Sequence, residues 1–246
     1  MQHPSDTGGA ALVTGANSGI GKEVARQLLG SGLTVYVGAR DVGRGQAAVD
    51  ELGAGAQLLV LDVTDEQSVA AAAERVTELD VLVNNAGISD TGQPPTETDV
   101  DTLRRVYETN VFGVVAVTNA FLPALRRSAK PRVVNISSGT GSLGWSTGPN
   151  PQFDHRNAGG AAAAYRSSKT ALNALTVFYA QSLAAYGPFK VNALAPGLRA
   201  TSLNSRAAEL GGDPAEAAAQ AVRLALLPDD GPTAGFFSWD GTIAAW

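Results

Sequence analysis

The feature that most constrains this chain is a set of short apolar runs that do not alternate. Ala11–Thr14, Thr34–Val37, Gln57–Leu61, Asp80–Val83 and Arg132–Ile136 are nearly continuous Val, Leu and Ile. Strict alternation marks a strand with one wet face, whereas unbroken runs mark strands covered on both faces. Lys190–Leu194 and Gly235–Trp239 extend the series. Helical patterns lie between the runs, at Ile20–Leu29, Gln46–Leu52 and Asp65–Leu79. A longer one carries Val100, Leu103, Tyr107, Val114, Phe121 and Leu125 on a single stripe. Such alternation with short connections predicts a doubly wound α/β fold, a parallel sheet of about seven strands with helices on both faces.

Local signals refine the pattern. Thr64 and Gln67 stand at capping-box spacing, and Asp213-Pro214 with Glu216 reads as an N-cap, a first-turn proline and an N3 carboxylate. The one long irregular stretch is Gly139–Gly160, and loops of that length in compact domains are commonly functional. Neither a linker nor a repeat divides the 246 residues, so a single domain over 1–246 is expected.

Composition removes several classes of function. The net charge is −5 with both signs scattered, so no basic stripe is offered to nucleic acid or an anionic membrane. No apolar run approaches the length of a membrane span. Cysteine is absent, which removes disulfides and thiolate chemistry. The opening MQHPSDTGG lacks the charged and apolar regions of a secretory signal, so a cytoplasmic protein is expected. His3 and His155 are the only histidines, and no metal site is expected.

The first apolar run leads into Gly15-Ala16-Asn17-Ser18-Gly19-Ile20-Gly21, where strand should turn into helix. A helix N-terminus offers free N–H groups and a positive dipole end to phosphate, and glycine lets a pyrophosphate approach. The spacing is G-x-x-x-G-x-G; a P-loop is excluded because Gly15 to Gly21-Lys22 is one residue too long. About 20 residues further on, a dinucleotide-binding chain reads the adenosine ribose. Here that place holds Ala39-Arg40-Asp41. Arg40 would suit a 2′-phosphate, and Asp41 would cap the next helix, which points to NADP(H) over NAD(H).

Tyr165 and Lys169 are four residues apart on one face of a helix whose inward stripe continues as Leu172, Leu175, Tyr179 and Leu183. A lysine on an apolar face is costly unless it has a partner. The pair reads as an acid–base couple in which the ammonium lowers the phenol pKa.

In order along the chain stand Thr14-Gly15-x-x-x-Gly19-x-Gly21, Asn84-Asn85-Ala86-Gly87, Asn110, Ser138, Tyr165-x-x-x-Lys169 and Pro196-Gly197-x-x-x-Thr201. This set resembles the short-chain dehydrogenase/reductase family, in its compact, single-domain, Rossmann-type branch. The resemblance implies that Tyr165 donates or accepts the proton, that Lys169 lowers its pKa and holds the nicotinamide ribose, and that Ser138 hydrogen-bonds the substrate oxygen. It further implies a proton relay supported by Asn110, and an adenine contact at Asp62 and Val63. By the same resemblance Asn85, Ala86 and Gly87 border the cofactor, and Pro196, Gly197 and Thr201 border the nicotinamide.

The chain departs from many relatives in the separation of Ser138 and Tyr165, which stand 27 positions apart. The extra segment, about 141–162, carries Trp145, Phe153, Asp154, His155 and Arg156, and is expected to wall the substrate pocket. In some relatives longer insertions here obstruct the usual tetramer, so a monomer or dimer is expected alongside a larger homo-oligomer. Residues 202–212 are expected to form a substrate lid. The segment also spells Gly144-Trp145-Ser146-Thr147-Gly148, the G-x-S-x-G of a serine hydrolase, but Pro149 and Pro151 follow and no histidine comes after His155. A cofactor-sensing binding protein on the same fold is the other alternative; it would be expected to lack the tyrosine or the lysine. The expectation is therefore an NADP(H)-dependent oxidoreductase acting on a small or medium carbonyl or alcohol.

Overall fold

The computed structural model describes residues 8–90, 92–150, 159–203 and 205–246, with the main chain alone at 205–207. Its seven strands are β1 (Ala10–Thr14), β2 (Thr34–Ala39), β3 (Ala56–Val60), β4 (Val81–Asn84), β5 (Arg132–Ile136), β6 (Lys190–Ala195) and β7 (Phe236–Ser238). They form one parallel sheet in the order β3-β2-β1-β4-β5-β6-β7. Each strand corresponds to one of the apolar runs.

Burial on both faces explains why those runs are unbroken. Ala11, Val13, Val81, Val83, Val134 and Ile136 point into a core shared with the helices α1 (Gly19–Gly30), α2 (Val42–Leu52) and α9 (Pro214–Ala225). Leu12, Leu82 and Val133 point the other way, into a core shared with α3 (Glu66–Glu74), α5 (Gly113–Leu125) and α7 (Ala163–Leu183). Every second residue serves a different core, and both cores demand apolar side chains.

The sequence order of strands reverses between β1 and β4, which are neighbours in the sheet. At such a switch point the connections leave in opposite directions and open a crevice beyond the carboxyl ends of the strands.

Several boundaries differ from the expected ones. The cap of α3 is Asp65, not Thr64: its carboxylate accepts from the Gln67 and Ser68 N–H groups at 2.9 and 3.3 Å. The Thr64 hydroxyl instead donates to Asp62 Oδ1 at 2.7 Å. That helix also stops at Glu74; Leu79, expected within it, lies beyond, its N–H donating to the Ala124 carbonyl as the chain turns towards β4. The long helical pattern divides into α4 (Val100–Tyr107), a π-turn (Glu108–Phe112) and α5. Such a turn inserts one residue into the helix and re-aims the side chains around it. Asp213 caps α9 as expected, accepting from the Ala215 N–H at 2.8 Å.

The irregular stretch is partly helical, with a 3₁₀ turn at Gly139–Gly141 and a short α6 at Leu143–Thr147 capped by Ser142. Trp145, expected to wall the substrate pocket, packs into the interior among the described residues. It is buried against Phe236, Ala193, Ala195 and Ala244, its ring centroid 6.4 Å from that of Phe236. The indole has found an apolar slot beside β7 and the final residues, which removes more of its surface from water than a pocket wall would. A Cβ on Gly144 would stand 2.9 Å from Ala245 Cβ, so this glycine is what lets α6 dock there. Phe153 and His155 lie outside the described residues. The G-x-S-x-G spelling sits on α6 and not on a strand-to-helix elbow: Ser146 Oγ donates to the Ser142 carbonyl at 2.7 Å. Among the described residues no helix is long and apolar enough to cross a membrane.

Candidate active site

The switch-point crevice is a cleft of about 540 Å³. Its first wall is the turn after β1. Thr14 Oγ1 accepts from the Asn85 and Ala86 N–H groups at 2.9 and 3.0 Å, and Asn85 Nδ2 donates to the Thr14 and Gly15 carbonyls. These bonds tie the ends of β1 and β4 together. Gly15 and Gly19 have φ of 64° and 55°, the left-handed region that glycine occupies without strain. A Cβ on Gly21 would stand 2.4 Å from Asn85 Nδ2, so packing also demands the third glycine. The Ser18 side chain caps no N–H of α1, and Asn17, Ser18, Gly19, Ile20 and Gly21 at the start of that helix line the cleft.

At the outer end of the cleft stands Arg40, exposed and without an ion-pair partner among the described residues. Asp41 is engaged as the cap of α2, accepting from the Arg44 N–H at 2.8 Å. Asp62, Val63 and Thr64 form the neighbouring wall. Asn85, Ala86 and Gly87 line the middle, and Pro196 and Thr201 the far side. Gly197 does not reach the cleft. Its φ is 70°, and a Cβ there would stand 3.0 Å from Trp239 Cδ1. It makes room for that indole.

Tyr165 and Lys169 occupy the inner end, one turn apart on α7. Lys169 is buried, and its Nζ donates to the Ile136 carbonyl at 2.8 Å. Gly87 packs close above it: a Cβ there would stand 3.5 Å from Nζ, in ordinary contact, and 3.3 Å from Asn110 Oδ1. Burial lowers the ammonium pKa to about 8. For Tyr165 the expected lowering is not found. Burial pushes its phenol up, and a hydrogen bond with Ser138 pulls it part of the way back. The Lys169 ammonium lies 5.7 Å from the ring centroid, and desolvation, not that charge, sets the direction of the shift. Ser138 does not line the cleft; its Oγ is also 2.9 Å from Thr140 Oγ1 and accepts from the Thr140 N–H at 3.2 Å.

Asn110, on the π-turn, does not line the cleft either. Its Nδ2 donates to the Ile88 carbonyl at 2.9 Å and to Ser168 Oγ at 3.0 Å, while Oδ1 accepts from the Ile88 N–H at 2.9 Å. Both amide donors are engaged, so the side chain acts as a brace between the loop after β4 and the helix that carries Tyr165.

The cleft also uses residues that no expectation marked: Leu61, Ile88, Ser89, Thr109 and Ser137. Most flank a marked residue, and adjacency was their only signal. Asp90 carried none, because the helix amides it meets lie more than 70 residues away, at Ala164 and Tyr165.

A glycine turn on a switch-point cleft, ending at a buried tyrosine and lysine, defines a dinucleotide-dependent oxidoreductase site. Residues 9–150 match the family model for short chain dehydrogenases. The chain is 37% identical over 269 residues to the short-chain dehydrogenase/reductase ATR10 of Stachybotrys chlorohalonatus, covering 97% of this chain and 92% of that protein. It is 33% identical to the (−)-isopiperitenone reductase of Mentha piperita, covering 96% and 98% respectively. Among solved structures it is similar to an NADPH-bound carbonyl reductase from chicken fatty liver, with a TM-score of 0.79, 28% identity and coverage of 96% and 97%. A 3-ketoacyl-(acyl-carrier-protein) reductase from Brucella melitensis in complex with NADH gives a TM-score of 0.81 at 25% identity, with coverage of 94% and 96%. The chain belongs to the short-chain dehydrogenase/reductase family, whose chemistry is nicotinamide-dependent oxidation and reduction at carbonyl and alcohol carbons.

Proposed function

We propose that this protein is an NADP(H)-dependent oxidoreductase that reduces the carbonyl of a small or medium organic substrate, or oxidises the matching alcohol, with Tyr165 as proton donor or acceptor. The observation that carries the reading is that one cleft joins the glycine cradle and Arg40 at one end to Tyr165 and Lys169 at the other.

The chain's residues fit a dinucleotide. Gly15 and Gly21 let the turn close against Asn85 and Ala86, the start of α1 would hold the pyrophosphate, and Arg40 would take the 2′-phosphate that Asp41 is not free to oppose. When bound, the nicotinamide supplies or accepts the hydride at the substrate carbon. The rest of the chemistry falls to the protein. A phenol held neutral by burial is a proton donor at neutral pH, which suits Tyr165 to protonating the oxygen as negative charge develops. Ser138, already bonded to that phenol, shares and positions the oxygen. Lys169, cationic below about pH 8, stabilises the phenolate left behind. Ser202 and Leu203 line the cleft at the start of 202–212, which supports that segment as its lid.

The test is a panel of (−)-isopiperitenone, neomenthol and galactitol, compounds named for relatives of this chain, each assayed with both nicotinamide dinucleotides in both redox states. Turnover with NADP(H) in preference to NAD(H) is expected, and a strong NAD(H) preference refutes the role of Arg40. The Tyr165→Phe variant should still bind NADPH, read by fluorescence, and lose about 10²–10⁴-fold in kcat. Undiminished turnover in that variant would falsify the mechanism.

A further inference from the structure

The N-terminus of α7 is built in an unusual way, and Tyr165 lies in its first turn. The residue at the cap position is Ala162, with φ 57° and ψ 46°, a left-handed conformation that alanine seldom adopts, and it has no side chain able to cap. The first-turn amides are satisfied from across the molecule. The Ala163 N–H donates to the Gln93 carbonyl at 3.1 Å. The Ala164 and Tyr165 N–H groups donate to Asp90 Oδ2 at 3.0 and 3.4 Å. Asp90 Oδ1 accepts from the Gly92 N–H at 3.2 Å, which fixes the carboxylate in its own loop.

That loop is the wall of the cleft. Ile88 and Ser89 line it, and Ile88 is held at both N–H and C=O by Asn110. Asn110 also donates to Ser168 Oγ, which in turn donates to the Tyr165 carbonyl at 2.6 Å. The main chain of Tyr165 is thus gripped on both sides by groups that belong to, or brace, the loop after β4. A carboxylate at this place also matches the positive end of a 21-residue helix.

We propose that Asp90 is a positioning residue for the proton donor: by capping α7 from the cleft wall, its carboxylate sets Tyr165 in register with whatever that wall binds. The proposal rests on Tyr165 being the proton donor. It assigns the loop after β4 two tasks, lining the cleft and aligning the catalytic helix, joined in three residues. A displacement of the phenol by about 1 Å is enough to cost around a hundredfold in rate, so the cap matters to turnover beyond its part in stability.

The experiment compares Asp90→Ala and Asp90→Asn with the parent and with Tyr165→Phe, using the panel compound that turns over fastest. In Asp90→Ala, kcat should fall about tenfold or more while the NADPH dissociation constant, governed by the far end of the cleft, stays within about twofold. Asp90→Asn retains an acceptor oxygen and should recover most of kcat. Should Asp90→Ala fail to fold, Asp90→Ser, whose shorter hydroxyl cannot span the gap to the helix, carries the same expectation. A kcat within about twofold of the parent in Asp90→Ala, even at a lowered melting temperature, reduces Asp90 to a structural cap and overturns the proposal. So does a loss that Asp90→Asn fails to restore. If instead Tyr165→Phe remains fully active, the reading of Tyr165 has failed, and the inference about Asp90 falls with it.

Discussion

Lys169 shows at a single residue how this site trades stability for chemistry. Its ordinary pKa of 10.5 is lowered to about 8 by burial. Between those values the unfolded chain holds a proton that the folded chain has released, so this group's contribution makes stability rise with pH from about 8 to 10.5. Below pH 8 the folded state carries the full penalty of a buried ammonium, about 3 kcal/mol for a shift of that size. Replacing it should therefore stabilise. Lys169→Met is expected to raise the melting temperature at pH 7, to flatten the stability profile over that window, and to lose turnover. A melting temperature below the parent's at pH 7 would show that the bond to the Ile136 carbonyl outweighs desolvation. For the parent enzyme, reductive kcat should fall as pH rises through about 8, where the cation is lost. The sequence revealed the pair because an i, i+4 tyrosine and lysine on an apolar stripe is a local pattern. It misled on the tyrosine pKa because desolvation depends on everything packed around the ring, which spacing does not encode. The packing of Trp145 was hidden for a related reason: the slot that takes it is made by β6, β7 and the final residues, far from it in sequence.

At the scale of the element, the segment after β6 is closed at its base. The Ala200 N–H donates to the Gly212 carbonyl at 2.8 Å and the Gly212 N–H to the Leu198 carbonyl at 3.0 Å, so the segment between them, which carries the short helix α8 (Ser205–Leu210), has pinned ends. Arg199 locks that base. It is buried, its Nε donates to the Pro196 carbonyl at 2.7 Å, and its Nη1 meets Glu216 of α9 at 2.5 Å. Its guanidinium also lies 4.3 Å from the centroid of the Trp239 ring. The capping signal at Asp213 located α9 correctly, yet Glu216 reaches across to Arg199, a contact 17 residues distant that local rules do not anticipate. If 202–212 is the lid, loosening its base should alter substrate capture more than chemistry. Glu216→Gln weakens the pair without emptying the space. The expected result is KM raised about threefold to tenfold with kcat nearly unchanged, since partial loss of such a pair costs on the order of 1 kcal/mol. A change confined to kcat would separate this loop from substrate binding. The long helical pattern teaches the same lesson. Its stripe correctly announced a helix, but the π-turn that puts Asn110 between Ile88 and Ser168 leaves no mark in the periodicity.

Across the whole molecule, the two edges of the sheet divide the work. Gly15, Asn85, Ser137 and Pro196 all follow the carboxyl ends of their strands and line the cleft. At the opposite edge, Arg132 opens β5 with its side chain fully buried. Its guanidinium donates to the Leu227, Pro131 and Pro188 carbonyls at 2.8, 3.1 and 2.8 Å, and to Asp229 at 2.7 Å. One side chain thereby gathers the loop before β6 and the segment after α9 beneath the sheet. The parallel fold itself was legible because unbroken apolar runs leave few other arrangements, but this arginine sat unremarked at the head of such a run. Arg132→Leu keeps the aliphatic bulk and strands those carbonyls without a donor. Each orphaned group costs on the order of 1–3 kcal/mol, so a loss of about 3 kcal/mol or more in unfolding free energy is expected. Asp229→Asn, at an exposed position that water can satisfy, should change little. Five residues of strand at about 3.3 Å each separate Arg132 from the cleft. NADPH affinity and kcat of the folded Arg132→Leu protein should accordingly match the parent well below its melting temperature. Loss of cofactor binding in the still-folded variant would mean that the two edges are coupled through β5, and that stability and catalysis are not separable along this sheet.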